Sequence, residues 1–433
     1  MTPLFSISAL LTGSALLLLA GGLHGLLLPV RGLAEGFSDT SLGLLGAGWA
    51  FGYMGGCLLV PTIVKRVGHI RSFSVLASLA GITVLLNLLF MTPLAWIILR
   101  AITGFCFAGA AMIVESWLNE RATNQTRGKI FGIYTMVNLG ATTAGQMLLT
   151  LGDARGYLFF VVGSIIYSLS LLPTALSTAA TPAPLTQAKL DPKQLWRNSP
   201  VAVFAIFMVG LSNGSFGTLG AVYGQRIGLD VTQIAIMMSL ALLFGAMVQI
   251  PIGFASDRMD RRYVLIAQAV FAMGLGIALS FLVETDPLWI ILMIGIFGGM
   301  IYSMYPVIVA HASDHADPGD FLKTSGGLLL IFGVGTMIGP LIASVLMSAT
   351  QPGALFQVTA VAHLSLVAFA IWRITQRAPV AGEDKTDFVP VVSTARMSTP
   401  ETAVLDPRAE EEIAAEQQPG ETAQVLGDSI SKP

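Results

Sequence analysis

Arg100 and Glu115 stand at the two ends of RAITGFCFAGAAMIVE, a stretch with no charge between them. A guanidinium stays charged at any physiological pH and binds carboxylates or phosphates through a rigid fork of donors. A carboxyl group accepts hydrogen bonds or carries a proton. Wound as a helix, Arg100, Gly104, Ala108, Ala111 and Glu115 share one face. At 1.5 Å per residue the two charges lie about 22 Å apart and cannot pair directly. Arg100 has two readings: contact with an anionic group in a wet route, or snorkelling and structural anchoring. Glu115 has three: proton coupling, gating by hydrogen bonds to inner loops, or an ordinary polar helix end.

Other polar side chains interrupt apolar sequence. His24 lies between Gly22 and Gly25, where an imidazole could bind solute or carry a proton; packing with one hydrogen bond is the alternative. Asn138 and Gln146 are two helical turns apart and share a face, suited to lining a cavity or to bonding between helices. Asn213 and Ser215 form a polar patch, and Tyr302 and Tyr305 are cavity candidates whose alternative is aromatic core packing. His311, Asp314 and His315 have metal-like spacing, but their neighbours Asp317, Pro318 and Asp320 mark a solvated loop, expected to meet the Glu115 region. No metal, cofactor, phosphate-cradling loop or paired catalytic constellation is expected, so the chain does not read as an enzyme.

The elements that must position these residues follow from composition. Of 433 residues, 54% are hydrophobic and 11% charged, against about 25% charged in soluble domains. Apolar runs of roughly 20 residues recur, each able to span the hydrocarbon core as a helix. Continuous runs exclude a β-barrel, whose strands alternate. The pattern gives an all-α polytopic membrane protein with about twelve spans, roughly 5–30, 40–62, 72–91, 94–115, 128–151, 156–176, 200–223, 231–252, 262–283, 288–311, 324–349 and 354–373. The first run has no basic leader and reads as a span, not a cleaved signal. Cys57 and Cys106 both lie in apolar runs and suggest no disulfide. Residues 1–176 form one bundle of six, 177–199 a linker with Lys189, Lys193 and Arg197, and 200–377 a second bundle. Residues 378–433 carry eleven acidic and four basic side chains, net −7, and are expected to be a disordered tail.

Lysine and arginine orient the spans. With the N-terminus inside, fifteen of the 23 fall at inner loops and helix ends, among them Lys65, Arg66, Arg258, Arg261 and Arg262. Three fall outside (Arg31, Arg155, Arg226), four in the tail, and Arg100 within a span. Both termini are therefore expected in the cytoplasm, with the chain in the bacterial inner membrane. The near-neutral total of −2 suggests no nucleic-acid partner.

The two halves repeat. At an offset of 192, Gly22, Gly25, Gly32 and Gly36 fall over Gly214, Gly217, Gly224 and Gly228. Trp96 falls over Trp289 at 193, and Gly145 over Gly339 at 194. A register held this long indicates two related bundles, which an even helix number relates by an axis along the membrane normal.

GFASDRMDRR (253–262) resembles the loop signature Gly-x-x-x-Asp-Arg-x-x-Arg-Arg of the major facilitator superfamily. Arg100-x-x-x-Gly104-x-x-x-Ala108 resembles its fourth-helix arginine motif, and GVGTMIGP (333–340) its glycine-proline motif. ESWLNERA (115–122), KRVGHIRSF (65–73) and IVAHASDH (308–315) are similar to the YcaD-like branch. The resemblance covers about residues 5–377 and implies two pseudo-symmetric six-helix bundles, with Asp257, Arg258, Arg261 and Arg262 as gating groups. The first-half copy departs: Lys65, next to Arg66, replaces the usual Asp, and Pro61 the leading Gly. Lys65 cannot accept hydrogen bonds, so the gate there must use other groups. GATTAGQ (140–146) lacks the helix-5 proline of exporters.

The expected function is secondary transport of a small solute, with protons as candidate coupling ions, by a monomer in the lipid bilayer whose halves alternate around a central site. A membrane sensor signalling through the acidic tail is the alternative. A membrane-embedded enzyme is the third and least supported.

Overall fold

A computed structural model describes residues 3–123, 125–175, 182, 184–185, 191–282, 286–317, 319–378, 380, 385–390 and 398–409. Among them are fifteen α-helices and no strand. The first half holds α1 (Pro3–Ala34), α2 (Asp39–Val67), α3 (His69–Leu89), α4 (Pro93–Arg121), α5 (Arg127–Leu148), α6 (Leu158–Leu169) and α7 (Leu171–Ala175). The short α8 (Pro192–Asn198) leads into α9 (Pro200–Arg226), α10 (Val231–Arg258), α11 (Arg261–Phe281), α12 (Pro287–Ser313), α13 (Phe321–Ala349) and α14 (Ala354–Ile374), and α15 (Pro400–Leu405) follows.

Among the described residues, ten helices are long and apolar enough to cross a membrane. The other two expected spans depart for visible reasons. α5 carries Lys129, Asn138, Thr142, Thr143 and Gln146, and its apolar content falls accordingly. The run expected at 156–176 starts at Leu158 and breaks at Ser170, whose hydroxyl turns back onto Tyr167 O. α2, α4 and α10 run several residues past their expected spans at their basic ends.

The repeat is visible at single contacts. Gly36 and Gly228 both take positive φ, 81° and 89°, which a side chain would resist. Each sits two residues before a helix cap: Ser38 accepts from Ser41 N at 3.1 Å, and Asp230 from Gln233 N at 2.8 Å. Further in, a Cβ on Gly145 would lie 2.1 Å from Leu19 O, and one on Gly339 2.1 Å from Leu211 O. Gly104 meets Trp49 in α2 as Gly298 meets Ala241 in α10. Each pair is related by the sequence offset. Small residues let backbones touch, which is how helices associate where lipid removes the hydrophobic drive.

Within each half the first and fifth helices, the second and fourth, and the third and sixth pack together: α1–α5, α2–α4 and α3–α6, then α9–α13, α10–α12 and α11–α14. The halves meet mainly along α2–α13 and α5–α10. Large apolar side chains on the outer pairs, such as Val75, Ile82, Phe271 and Val361, are exposed. They form the surface that hydrocarbon would cover.

Two flanking segments differ from expectation. Lys189 lies outside the described residues, but the end of the expected linker is docked helix. Asp191 caps α8, and Gln194 Nε2 donates to Asp320 Oδ2 at 2.7 Å. In the tail, 398–409 is largely buried and holds α15 and a short 3-10 turn at Pro407–Ala409, where disorder was expected. Thr399 and Thr402 form a capping box with Pro400 at the first helical position, and Leu405 is fully buried.

Candidate functional site

A cavity of about 1100 Å³, counting any part open to solvent, lies between the halves. Glycines of α1 (Gly21, Gly22, Gly25) and of α2 and α9 (Gly46, Gly217) line it. Arg100 is the charged side chain among its described lining residues. Its Cζ lies 5.9 Å from the centroid of the Trp49 ring, a cation–π distance. Thr103, Thr142, Gln146, Tyr167 and Tyr302 add polar atoms, and Phe107 and Met238 apolar wall. Such a chamber offers one fixed positive charge, several neutral hydrogen-bonding groups and an apolar wall. Gln146 Oε1 also accepts from Ser239 Oγ of α10 at 3.1 Å, linking the halves beside the cavity.

Of the expected cavity residues, Arg100, Gln146 and Tyr302 line this chamber. Tyr305 lines a smaller one beneath the tail and meets Phe332 edge-on at 5.2 Å. The rest are placed elsewhere. His24 faces α3, where its Nε2 is 3.2 Å from Asn87 Nδ2. Asn138 Oδ1 lies 3.4 Å from Ser14 Oγ of α1. Ser215 bonds Leu211 O and abuts Gly339 of α13. Asn213 is buried in α9 and does not line the cavity. The Gly104–Ala108 stripe faces α2, not the chamber: Gly104 touches Trp49, and Ala108 touches Gly56. Trp49, Tyr167 and Thr103 were not singled out in the sequence. Trp49 had one legible signal, a large amphipathic ring inside a glycine-rich span.

Glu115 is buried near the basic end of the molecule, the end that carries Lys65 and Arg258. Three hydroxyls converge on it. Tyr134 Oη donates to Oε1 at 2.9 Å, Thr402 Oγ1 to Oε1 at 2.8 Å, and Thr399 Oγ1 to Oε2. Tyr53 Oη donates to Ser398 O at 3.0 Å, and Arg127 Nη1 to Val404 O at 2.7 Å. The expected partners of Glu115, the loops after α12, are engaged elsewhere. Asp314 Oδ2 accepts from Arg261 Nε at 2.7 Å, and Asp314 Oδ1 from Thr386 N at 2.9 Å.

The signature loop builds a second cluster. Buried Arg261 also donates to Ser256 Oγ at 2.9 Å and to Thr386 O, and it lies 3.5 Å from Asp257. Asp257 accepts from Phe388 N at 3.1 Å. Arg262 pairs with Asp260 at 2.7 Å and donates to Arg377 O at 2.8 Å. Arg258 is exposed over Phe254, and Lys65 and Arg66 are exposed at the end of α2. The partners of Asp257, Arg261 and Arg262 belong to the second half and to 385–388. Burial pushes the pKa of Asp260 up, but hydrogen bonds from Arg262 and its charge outweigh that and hold it below the usual carboxylate range. Burial, with the nearby Arg377 and Arg262 charges, lowers His315, against a hydrogen bond to His311 O and the Asp314 charge. Among the described residues no group of His, Cys, Asp and Glu could hold a metal ion.

A model of the Major Facilitator Superfamily matches residues 10–316 and 202–399. The chain is 28% identical over 356 residues to the "Uncharacterized MFS-type transporter YcaD" of Escherichia coli strain 536, covering 80% of this chain and 90% of that one. Its fold is similar to that of the nucleoside transporter NupG, at a TM-score of 0.70 and 14% identity, over 87% of this chain and all of that one. It is also similar to a bacterial homologue of the human lysosomal transporter Spinster in an inward-facing, occupied conformation. There the TM-score is 0.68 at 16% identity, over 88% and 98% of the two chains.

Proposed function

The chain belongs to the Major Facilitator Superfamily, and we propose that it is a secondary transporter that carries a small solute bearing an anionic or strongly accepting group. The observation that carries this reading is Arg100 in the wall of a glycine-lined chamber between two related bundles. A permanent charge at membrane depth costs about 2.5–3.5 kcal/mol on insertion scales. Water and solute in the cavity, together with the Trp49 face, offset that cost. Gln146 and Tyr302 supply neutral hydrogen bonds, which discriminate without adding charge.

The halves rock about this site, exposing it first to one side and then to the other. The positive-inside distribution puts both termini in the cytoplasm. The basic end, with Glu115 and the Asp257–Arg262 loop, is then the inner mouth. Proton coupling belongs to this reading only as far as Glu115 lies on the inner route.

Comparison of metabolite pools in cells with and without the protein identifies the solute. Flux of that solute into liposomes is then compared for wild type, Arg100→Lys and Arg100→Ala. We expect Arg100→Ala to lose at least about 100-fold, the scale of a charge-assisted hydrogen bond worth near 3 kcal/mol. Arg100→Lys should retain part, because it keeps the charge but not the fork. Full flux in Arg100→Ala removes Arg100 from the mechanism.

A further inference from the structure

We propose that residues 398–409 are a reversible plug, an internal ligand of the crevice between the two halves at the basic end, with Glu115 as its receptor. The role as a transport lock rests on the transporter reading; the docking itself does not.

The segment lies between α4 and α5 of the first half and α13 of the second. Its recognition is polar and specific. Thr399 and Thr402 close the first turn of α15 on each other and turn the same two hydroxyls onto Glu115. Tyr134 supplies the third donor. A carboxylate can take all three, since it offers about four acceptor sites. At the far end of the helix Arg127 Nη1 donates both to Asn119 Oδ1 at 2.5 Å and to Val404 O at 2.7 Å, so it reads an orphan helix-end carbonyl. On the opposite wall, Arg408 lies with its Cζ 5.0 Å from the centroid of the Phe321 ring of α13. The plug therefore touches both halves at the place where they must separate or close.

Three features make it releasable. α15 has six residues, far short of the roughly 12–15 that hold a helix alone in water, so it exists only while docked. Its polar grip is a few hydroxyls meeting one carboxyl and two arginine contacts, and so short a segment, with Val404 and Leu405 as its main buried apolar side chains, opens at lower cost than a core helix. The approach is staged, because 385–388 binds the second half alone: Thr386 bonds Asp314 and Arg261, and Phe388 fills the notch at Gly253. That anchor keeps 398–409 at high effective concentration beside the crevice.

Two readouts test this in the full chain. A Cβ on Gly128 would lie 3.7 Å from Pro407 Cγ, so Gly128→Cys with Pro407→Cys should form an intramolecular disulfide under mild oxidant. Mass spectrometry of the digested protein detects the linked peptide. Adding Thr399→Val and Thr402→Val should cut its yield at least fivefold. Separately, in a Cys106→Ser background, native Cys57 lines the chamber between α2 and α13 beneath the plug. Its rate of reaction with N-ethylmaleimide should rise at least fivefold with the same two valines, both of which lie in the tail and leave the wall of that chamber unaltered. Absence of the linked peptide, or valines that leave both yield and rate unchanged, overturns the plug. Neither readout uses solute, so a protein that moves nothing across liposomes would end the transporter reading and leave this one standing.

Discussion

Asp260 shows how one side chain does two jobs at the basic end. Its Oδ1 caps α11 by accepting from Arg262 N at 3.0 Å, and both its oxygens accept from the Arg262 guanidinium. Arg262 in turn reaches Arg377 O, so the pair ties α11 to the end of α14. Because the folded-state pKa of Asp260 is depressed, its contribution is present above its unfolded value of about 3.9 and is lost as pH falls below that. Asp260→Asn keeps a capping oxygen but gives up the ion pair with Arg262, and should cost up to about 1 kcal/mol at pH 7, the upper end for a partly exposed pair. The difference from wild type in thermal unfolding, measured in detergent micelles, should stay flat from pH 7 to about 4.5 and shrink below about pH 4. A difference that grows on acidification would reverse the assigned direction. Arg261 and Arg262 were legible as a charged signature, but their partners were not. The pattern marks which residues cluster, whereas Asp314, Arg377 and Thr386 arrive from 53 to 125 positions away.

At the scale of elements, the small-residue face of α4 changed meaning. In sequence, Gly104 and Ala108 share a face with Arg100, whose readings include a place on a wet route. In the structure they are where α4 lies against α2: a Cβ on Gly52 would sit 1.8 Å from Ala101 O, and one on Gly104 2.2 Å from Trp49 O. Periodicity gives the face but not what covers it, since both a cavity and a helix crossing select small residues. Gly104→Ala drives a methyl into backbone that cannot rotate away, so it should destabilise the protein by about 3 kcal/mol or more. Gly140 is the control, because nothing lies within 4 Å of its would-be Cβ. Gly140→Ala should be neutral or stabilising by up to about 1 kcal/mol, the gain of alanine over glycine in a helix. Thermal melts of the two variants side by side decide it; equal melts would mean the crossing is looser than its geometry. The same scale explains the missed tail helix. Net charge and few aromatics argued for disorder, yet Thr399-Pro400 is a helix-start signal that was present and outweighed. What stabilises α15 is a carboxyl 284 residues earlier in the chain, which no local window contains.

The whole molecule is two copies of one packing scheme, and the repeat was the most legible feature because it is written in glycines that backbone contact requires. What the register could not show is where the copies cease to be equivalent. Trp96 is fully buried and donates to Asn87 O at 2.8 Å, whereas its counterpart Trp289 is exposed. Glu115 binds the tail in one half only. In the proposed cycle the two ends are held differently: the proposed plug sits at the basic end, and an ion pair crosses the halves at the other. Arg226 Nη2 of α9 lies 2.8 Å from Asp39 Oδ1 of α2, with the arginine side chain 43% exposed. A partly exposed pair is worth about 0.2–1 kcal/mol. It can bias the closure of that end by up to about fivefold without trapping it. Arg226→Asp replaces attraction by repulsion and should open that end. Asp39→Arg together with Arg226→Asp restores the pair with its signs exchanged. Spin labels at Asp153→Cys and Ala349→Cys, one on each half at this end, report the separation. Both carrier sites are exposed. The single variant should shift the distance distribution to longer values, and the exchanged pair should bring it back. If all three proteins give one distribution, the bridge does not govern this end. The closing bias must then be sought in the Gln146–Ser239 contact.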